Sequence, residues 1–133
     1  MLFSRIILGI TGLAFAGYGI YCAIDLDLVI ELTGVVFPST TPAVEARAMY
    51  GGLQTGLGLL FFSAAINRRF TAYGLVAMVF VLGGVALGRA LGIYLDGVDE
   101  YNMGAVIYES SSAVLAAVAL WRERRASDAS LFG

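Results

Sequence analysis

Four apolar runs, residues 6–23, 44–66, 72–95 and 102–121, occupy most of this chain. At a rise of about 1.5 Å per residue each one covers a hydrocarbon core of about 30 Å, the first only just. Lipid offers no partner to a backbone N–H or C=O, so runs of this length fold as helices that satisfy their own backbone. The expected fold is therefore all-α, an integral membrane four-helix bundle forming a single domain over all 133 residues. Composition agrees: 59% of residues are hydrophobic and 14% charged, against about 25% charged in an ordinary soluble domain.

The arginines set an orientation. Arg5 precedes the first run, Arg68 and Arg69 join the second to the third, and Arg122, Arg124 and Arg125 follow the fourth. The two remaining connections carry Asp25, Asp27 and Glu31, then Asp96, Asp99 and Glu100, without a basic residue. By the positive-inside rule both termini and the turn at 67–71 are expected in the cytoplasm, with the protein in the bacterial inner membrane. Ala14-Phe15-Ala16 fits a signal-peptide cleavage pattern. The apolar run continues seven residues beyond it, so a retained span is the expectation.

The first outer connection, about residues 25–41, spaces Leu26, Leu28, Val29, Ile30 and Leu32 among acids, as an interfacial helix does. The stretch from Pro38 to Pro42 should break it. Thr41 as N-cap with Pro42 behind it should start the second span, leaving Glu45 in its first turn. The polar tail, residues 123–133, is expected to fray.

Charge at membrane depth is costly, about 2.5–3.5 kcal/mol per residue on insertion scales. Arg47, Arg89 and Glu109 each sit in a different apolar run, roughly 7–11 Å inward from the outer helix ends. Matched depth predicts one shared cluster with a surplus positive charge. Helical spacing puts Arg47, Tyr50, Gly51 and Gln54 on one face, Arg89, Gly92 and Asp96 on another, and Glu109 with Ala105, Ser112 and Ala116 on a third. Six of seven tyrosines, Tyr94 and Tyr108 among them, fall in the outer half, which suggests a polar, outward-facing cavity. The candidate ligand-binding set is Arg47, Tyr50, Gln54, Arg89 and Glu109, supported by Glu45, Tyr94, Asp96 and Tyr108. The alternative is a buried tie between helices that only fixes their register.

Glycines recur every four residues as Gly52 and Gly56 on the second span and as Gly84, Gly88 and Gly92 on the third. Such stripes let helix backbones approach in lipid, inside the bundle or between copies of the chain. The chain has no His and one cysteine, Cys22, which excludes an internal disulfide and a Cys/His zinc site. No cofactor or metal is expected. A formal charge of −2 gives no reason to expect a nucleic-acid partner. No serine sits beside a recognisable base, so a catalytic centre is not drawn from these residues.

The segment Val44-Glu-Ala-Arg47-Ala-Met-Tyr50-Gly-Gly-Leu-Gln54-Thr-Gly-Leu-Gly58 resembles the hallmark of a bacterial membrane family catalogued as domain of unknown function 4345. Gly88-Arg89-Ala-Leu-Gly92 followed by Asp96-Gly97, and Glu109 on the fourth span, are similar to that family too. The resemblance implies a four-helix membrane bundle and draws notice to Glu45, Arg47, Tyr50, Gln54, Arg89 and Glu109. It implies no activity. The resulting expectation is a small non-enzymatic membrane protein that binds an anionic or lipid-headgroup ligand or serves as an accessory protein. A structural subunit of a larger membrane complex or a homo-oligomer is the first alternative, and a small transporter or lipid-modifying enzyme the second.

Overall fold

The computed structural model describes residues 2–131, with side chains as far as Arg125. The chain forms α1 (Leu2–Ile24), a short α2 (Asp27–Thr33), α3 (Thr40–Ala46), a π-helical segment (Arg47–Leu53), α4 (Gln54–Ile66), α5 (Thr71–Asp96) and α6 (Glu100–Leu131). From α3 to α4 the helix is continuous, so four helices are long and apolar enough to cross a membrane. Within these spans only 17–28% of residues are buried, which leaves most of their apolar surface to lipid. The protein is an all-α, multi-pass membrane bundle.

Two helix pairs make up the bundle. α1 lies along α4 and the π segment, and α5 lies along α6, with thinner contact between the pairs. Glycine draws the first pair together. A Cβ on Gly12 would stand 2.6 Å from the Phe62 backbone nitrogen, and one on Gly51 would stand 2.8 Å from the Ala23 Cα. Gly19 and Gly58 meet the facing backbone in the same way. Side chains at these positions would force the helices apart, the situation that favours small residues at membrane helix interfaces. The expected stripes behave differently: Gly52, Gly56, Gly84, Gly88 and Gly92 all face open space within 4 Å. Spacing of four identified small residues but not the facing partner, and that partner is what makes a packing glycine.

The half of the bundle that holds Arg5, Arg68 and Arg122, named inner after the orientation expected from the arginines, is closed. Leu8, Phe61, Leu75, Met78 and Leu82 form its core with Ala116 and Ala119, and Phe15 meets Phe61 edge-on with ring centroids 5.9 Å apart. A second, smaller cluster of Cys22, Leu26, Val29 and Ala46 anchors α2 over the outer ends of α1 and α3.

Element ends depart from the sequence reading in three places. α2 stops at Thr33 because Gly34 takes the left-handed conformation (φ 68°) and donates its N–H to the Ile30 carbonyl, 2.8 Å away. The chain is therefore out of helix before Pro38. α3 starts at Thr40 behind Ser39, so Glu45 lies beyond the first turn. α6 stays helical through the expected frayed tail to Leu131, while Phe132 and Gly133 lie outside the described residues.

Candidate functional site

Arg89 on α5 reaches across to Glu109 on α6. Its Nη2 donates to Oε1 at 2.7 Å, and its Nε donates to Oε2 at 2.9 Å and to Oε1 at 3.1 Å. Nη1 donates to Asn102 Oδ1 at 2.7 Å. Glu109 is buried and Arg89 partly so. Ion pairs of this forked geometry are strong because both groups are charged and their bonds are directional. Asn102 in turn donates its backbone N–H and its Nδ2 to Asp99, at 2.9 and 2.5 Å. Asp99 stands just ahead of α6 and caps it in the usual N-terminal way. The Asn102 backbone N–H, followed by its side-chain amide, holds the Asp99 carboxyl below its ordinary range. Tyr101 lies with its ring centroid 5.9 Å from the Arg89 guanidinium carbon.

Arg47 does not join this group. Its Nη1 donates to the carbonyls of Ala23 and Ile24, at 2.6 and 2.8 Å. These are the last carbonyls of α1, unpaired within their own helix and at the negative end of its dipole. The sequence reading expected Arg47 in this cluster because it assumed an unbroken α-helical face from Arg47 to Gln54. The π segment widens the turn there. Arg47 is turned to α1, Gly51 packs on Ala23, and Tyr50 and Gln54 are left facing the interior. The surplus positive charge expected from two arginines and one glutamate is accordingly absent from the site. Arg89 is balanced by Glu109, and Asp99 adds a negative charge two hydrogen bonds away.

Between the two helix pairs, in the outer half, lies a cavity of about 560 Å³. Phe15, Leu57, Val81 and Leu82 line its apolar part; Tyr18, Tyr50, Gln54, Arg89, Tyr101, Tyr108 and Glu109 line its polar part. Such a mixed lining is typical of sites for small molecules. The Gln54 Oε1 is buried with no hydrogen-bond partner, which is uncommon for a polar atom away from solvent. A smaller, mostly polar vestibule of about 440 Å³ shares Tyr50, Arg89 and Tyr101 with the cavity. On the other side Tyr50, Leu53 and Gln54 also line an apolar groove under residues 35–37, where Glu45 lies.

Of the residues expected at the site, Tyr50, Gln54, Arg89, Glu109 and Tyr108 line the one cavity. Arg47 caps α1, Glu45 borders the outer groove, and Asp96 lies with Gly88 and Gly92 in an adjoining cleft that shares Arg89 with the cavity, the three-residue face of Arg89, Gly92 and Asp96 expected from helical spacing. Tyr94, 84% exposed, points away from the bundle. Asp99, Tyr101 and Asn102 were not among the expected site residues. The spacing Asp99-x-x-Asn102 at the start of a span is itself a capping signal and could have identified two of them.

The family described as domain of unknown function (DUF4345) matches residues 3–120. Comparison with curated proteins and with solved structures gives no significant match. The chain belongs to the DUF4345 family.

Proposed function

We propose that this DUF4345 protein is a small non-enzymatic binding protein of the membrane, taking a single amphipathic molecule into the cavity between its helix pairs. The apolar tail lies against Phe15, Leu57, Val81 and Leu82, and the polar end meets Arg89, Gln54 and the tyrosines. The observation that carries this reading is the coexistence, in one cavity, of an apolar wall of Phe15, Leu57, Val81 and Leu82 and a polar wall that holds Arg89, Glu109 and three tyrosines of the outer half, Tyr18, Tyr50 and Tyr108. A chamber of about 560 Å³ accommodates roughly twenty heavy atoms, taking about 30 Å³ for each water-sized group. The arginine distribution supports an inner-membrane location with cytoplasmic termini, and so puts the cavity in the outer leaflet half.

The test is native mass spectrometry of the full chain extracted gently from its membrane. Wild type is expected to carry a bound amphipath of defined mass. Leu57→Trp from one wall and Ala105→Phe from another should each lose it while the chain still elutes as a folded species. Equal retention by wild type and both filled variants would defeat the reading.

A second reading, in which the protein is a structural subunit and the charged pair only ties α5 to α6, draws on one specific fact. Arg89 and Glu109 already satisfy much of each other's hydrogen bonding without any ligand.

A further inference from the structure

At the end of the bundle away from the cavity, α1 and α6 bring two arginines and two aromatic rings together. Arg122 of α6 has its guanidinium carbon 5.5 Å from the ring centroid of Phe3 on α1, and Arg125 stacks on Trp121 at 4.0 Å. Spacings of three and four residues along α6 put Arg125 beside both Arg122 and Trp121. All four side chains are exposed. Stacking occupies the flat face of a guanidinium and leaves its edge of N–H donors open. Among the described residues neither Arg122 nor Arg125 donates a hydrogen bond. The carboxylate between them in sequence, Glu123, accepts from Ser4 Oγ at 2.6 Å.

We propose that this pair is a site for the head group of an anionic phospholipid, a phosphodiester whose other substituent is uncharged, as in a phosphatidylglycerol. Trp121 closes the apolar stretch of the α6 span, Glu100–Arg125. Tryptophan at such a boundary sits level with the head groups, beside the first carbons of the acyl chains. The rings therefore hold two guanidinium edges at the depth of the lipid phosphates, which such edges bind bidentately. Side chains already held by stacking lose little further freedom when the phosphate arrives. Charge selects among heads. Six of the eight arginines, Arg5, Arg68, Arg69, Arg122, Arg124 and Arg125, lie at this end. A zwitterionic head presents the same phosphate with an ammonium beside it, and that ammonium meets the guanidiniums as a like charge. The site stands apart from the cavity and does not depend on what fills it.

Trp121 is the single tryptophan of the chain, so its fluorescence reports the lipid at this place. The full chain is reconstituted in mixed vesicles of phosphatidylcholine and phosphatidylglycerol, with a bromine quencher on the acyl chains of one lipid and then of the other. The two quenching curves give the preference of the site. Wild type should prefer phosphatidylglycerol about fivefold, the scale of one arginine near a charged surface. Arg122→Gln with Arg125→Gln should remove the preference. Arg68→Gln with Arg69→Gln takes the same charge from the α4–α5 turn and should keep most of it. Equal losses in the two double variants would overturn the site, because the field of the whole end would then suffice. A wild type without preference would overturn it as well. Arg122→Lys with Arg125→Lys keeps the charge but not the stacked edges and should lose most of the preference; full retention would defeat the stacked clamp. Inorganic phosphate, compared with chloride at equal ionic strength, tests a soluble source of the same chemistry. It should leave the ratio unchanged, and a preference abolished by phosphate would make the occupant a free anion instead of a lipid.

Discussion

The two halves of this bundle, cut across the membrane, solve opposite problems with the same four helices. The inner half fills the space between helix pairs with Leu8, Phe61, Leu75 and Met78, all fully buried. The outer half keeps the space and lines it with tyrosines, Gln54 and a paired Arg89 and Glu109. The difference lies in the π segment, whose wider turn sends Arg47 to α1 and leaves Tyr50 and Gln54 facing the gap. π segments inside α-helices are frequently found at functional sites, and here one converts a packing face into a cavity wall.

The contrast breaks most easily at the glycines. Gly58→Leu should abolish a monodisperse folded species on size-exclusion chromatography, because a Cβ there runs into the Ala16 and Gly12 backbones. Gly88→Leu, facing open space, should elute like wild type. The reverse pattern would mean that the α5 stripe, not the α1–α4 seam, holds the fold together.

Next in size is the core itself. Phe61→Ala in the closed half should cost about 3–5 kcal/mol, the usual range for an aromatic removed from a packed interior. Val85→Ala, on the wall of the open half and partly exposed, should cost under about 1 kcal/mol. Thermal unfolding in a single detergent compares them directly.

Much of this division could be read in advance, and the remainder has a physical reason for its obscurity. The four spans, the meeting of Arg89 with Glu109, and the inward face of Glu109 with Ser112 and Ala116 follow from periodicity and cost of charge, which are local properties. Where Arg47 points depends on a non-α turn, and the sequence around Gly51-Gly52 does not announce one. Which glycines pack inside the bundle depends on the facing helix, so equal spacing did not pick out Gly12, Gly19, Gly51 and Gly58. Asn102 served only as a span boundary in the sequence, yet in the fold it links Arg89 to Asp99.

The charged pair sharpens the comparison further. Arg89→Gln and Glu109→Gln should each lower stability by about 2–3 kcal/mol, somewhat less than a fully enclosed pair because Arg89 keeps partial exposure. The double variant should cost much less than the sum, as expected for residues in direct contact. Additive losses would show that each residue acts through other partners.

The smallest effect is expected at the rim. Asp99→Ala should destabilise the start of α6 modestly, seen as faster amide exchange at residues 100–103. Because hydrogen bonds from Asn102 lower the Asp99 carboxyl below its ordinary value, its contribution is present above about pH 3.9. That contribution fades as pH falls through the lowered folded value. Acidification should therefore release protection at this end in wild type and leave the Asp99→Ala variant unchanged there.

The fastenings between the two helix pairs are gathered at one end. Among the described residues, Ser4 Oγ donates to Glu123 Oε1 at 2.6 Å, Thr71 Oγ1 donates to the Ala64 carbonyl at 2.9 Å, and Arg122 stacks on Phe3. All three lie beside the closed core, while the outer carbonyls of α1 are sealed within its own pair by Arg47. The molecule is thus bound like a book along one spine, at the end that holds Arg5, Arg68 and Arg122. Among the described residues no hydrogen bond or ion pair joins the two pairs at the other end, where the bonds of Arg47 and Arg89 stay within their own pairs. A molecule entering sideways from the bilayer there would break no polar link between them.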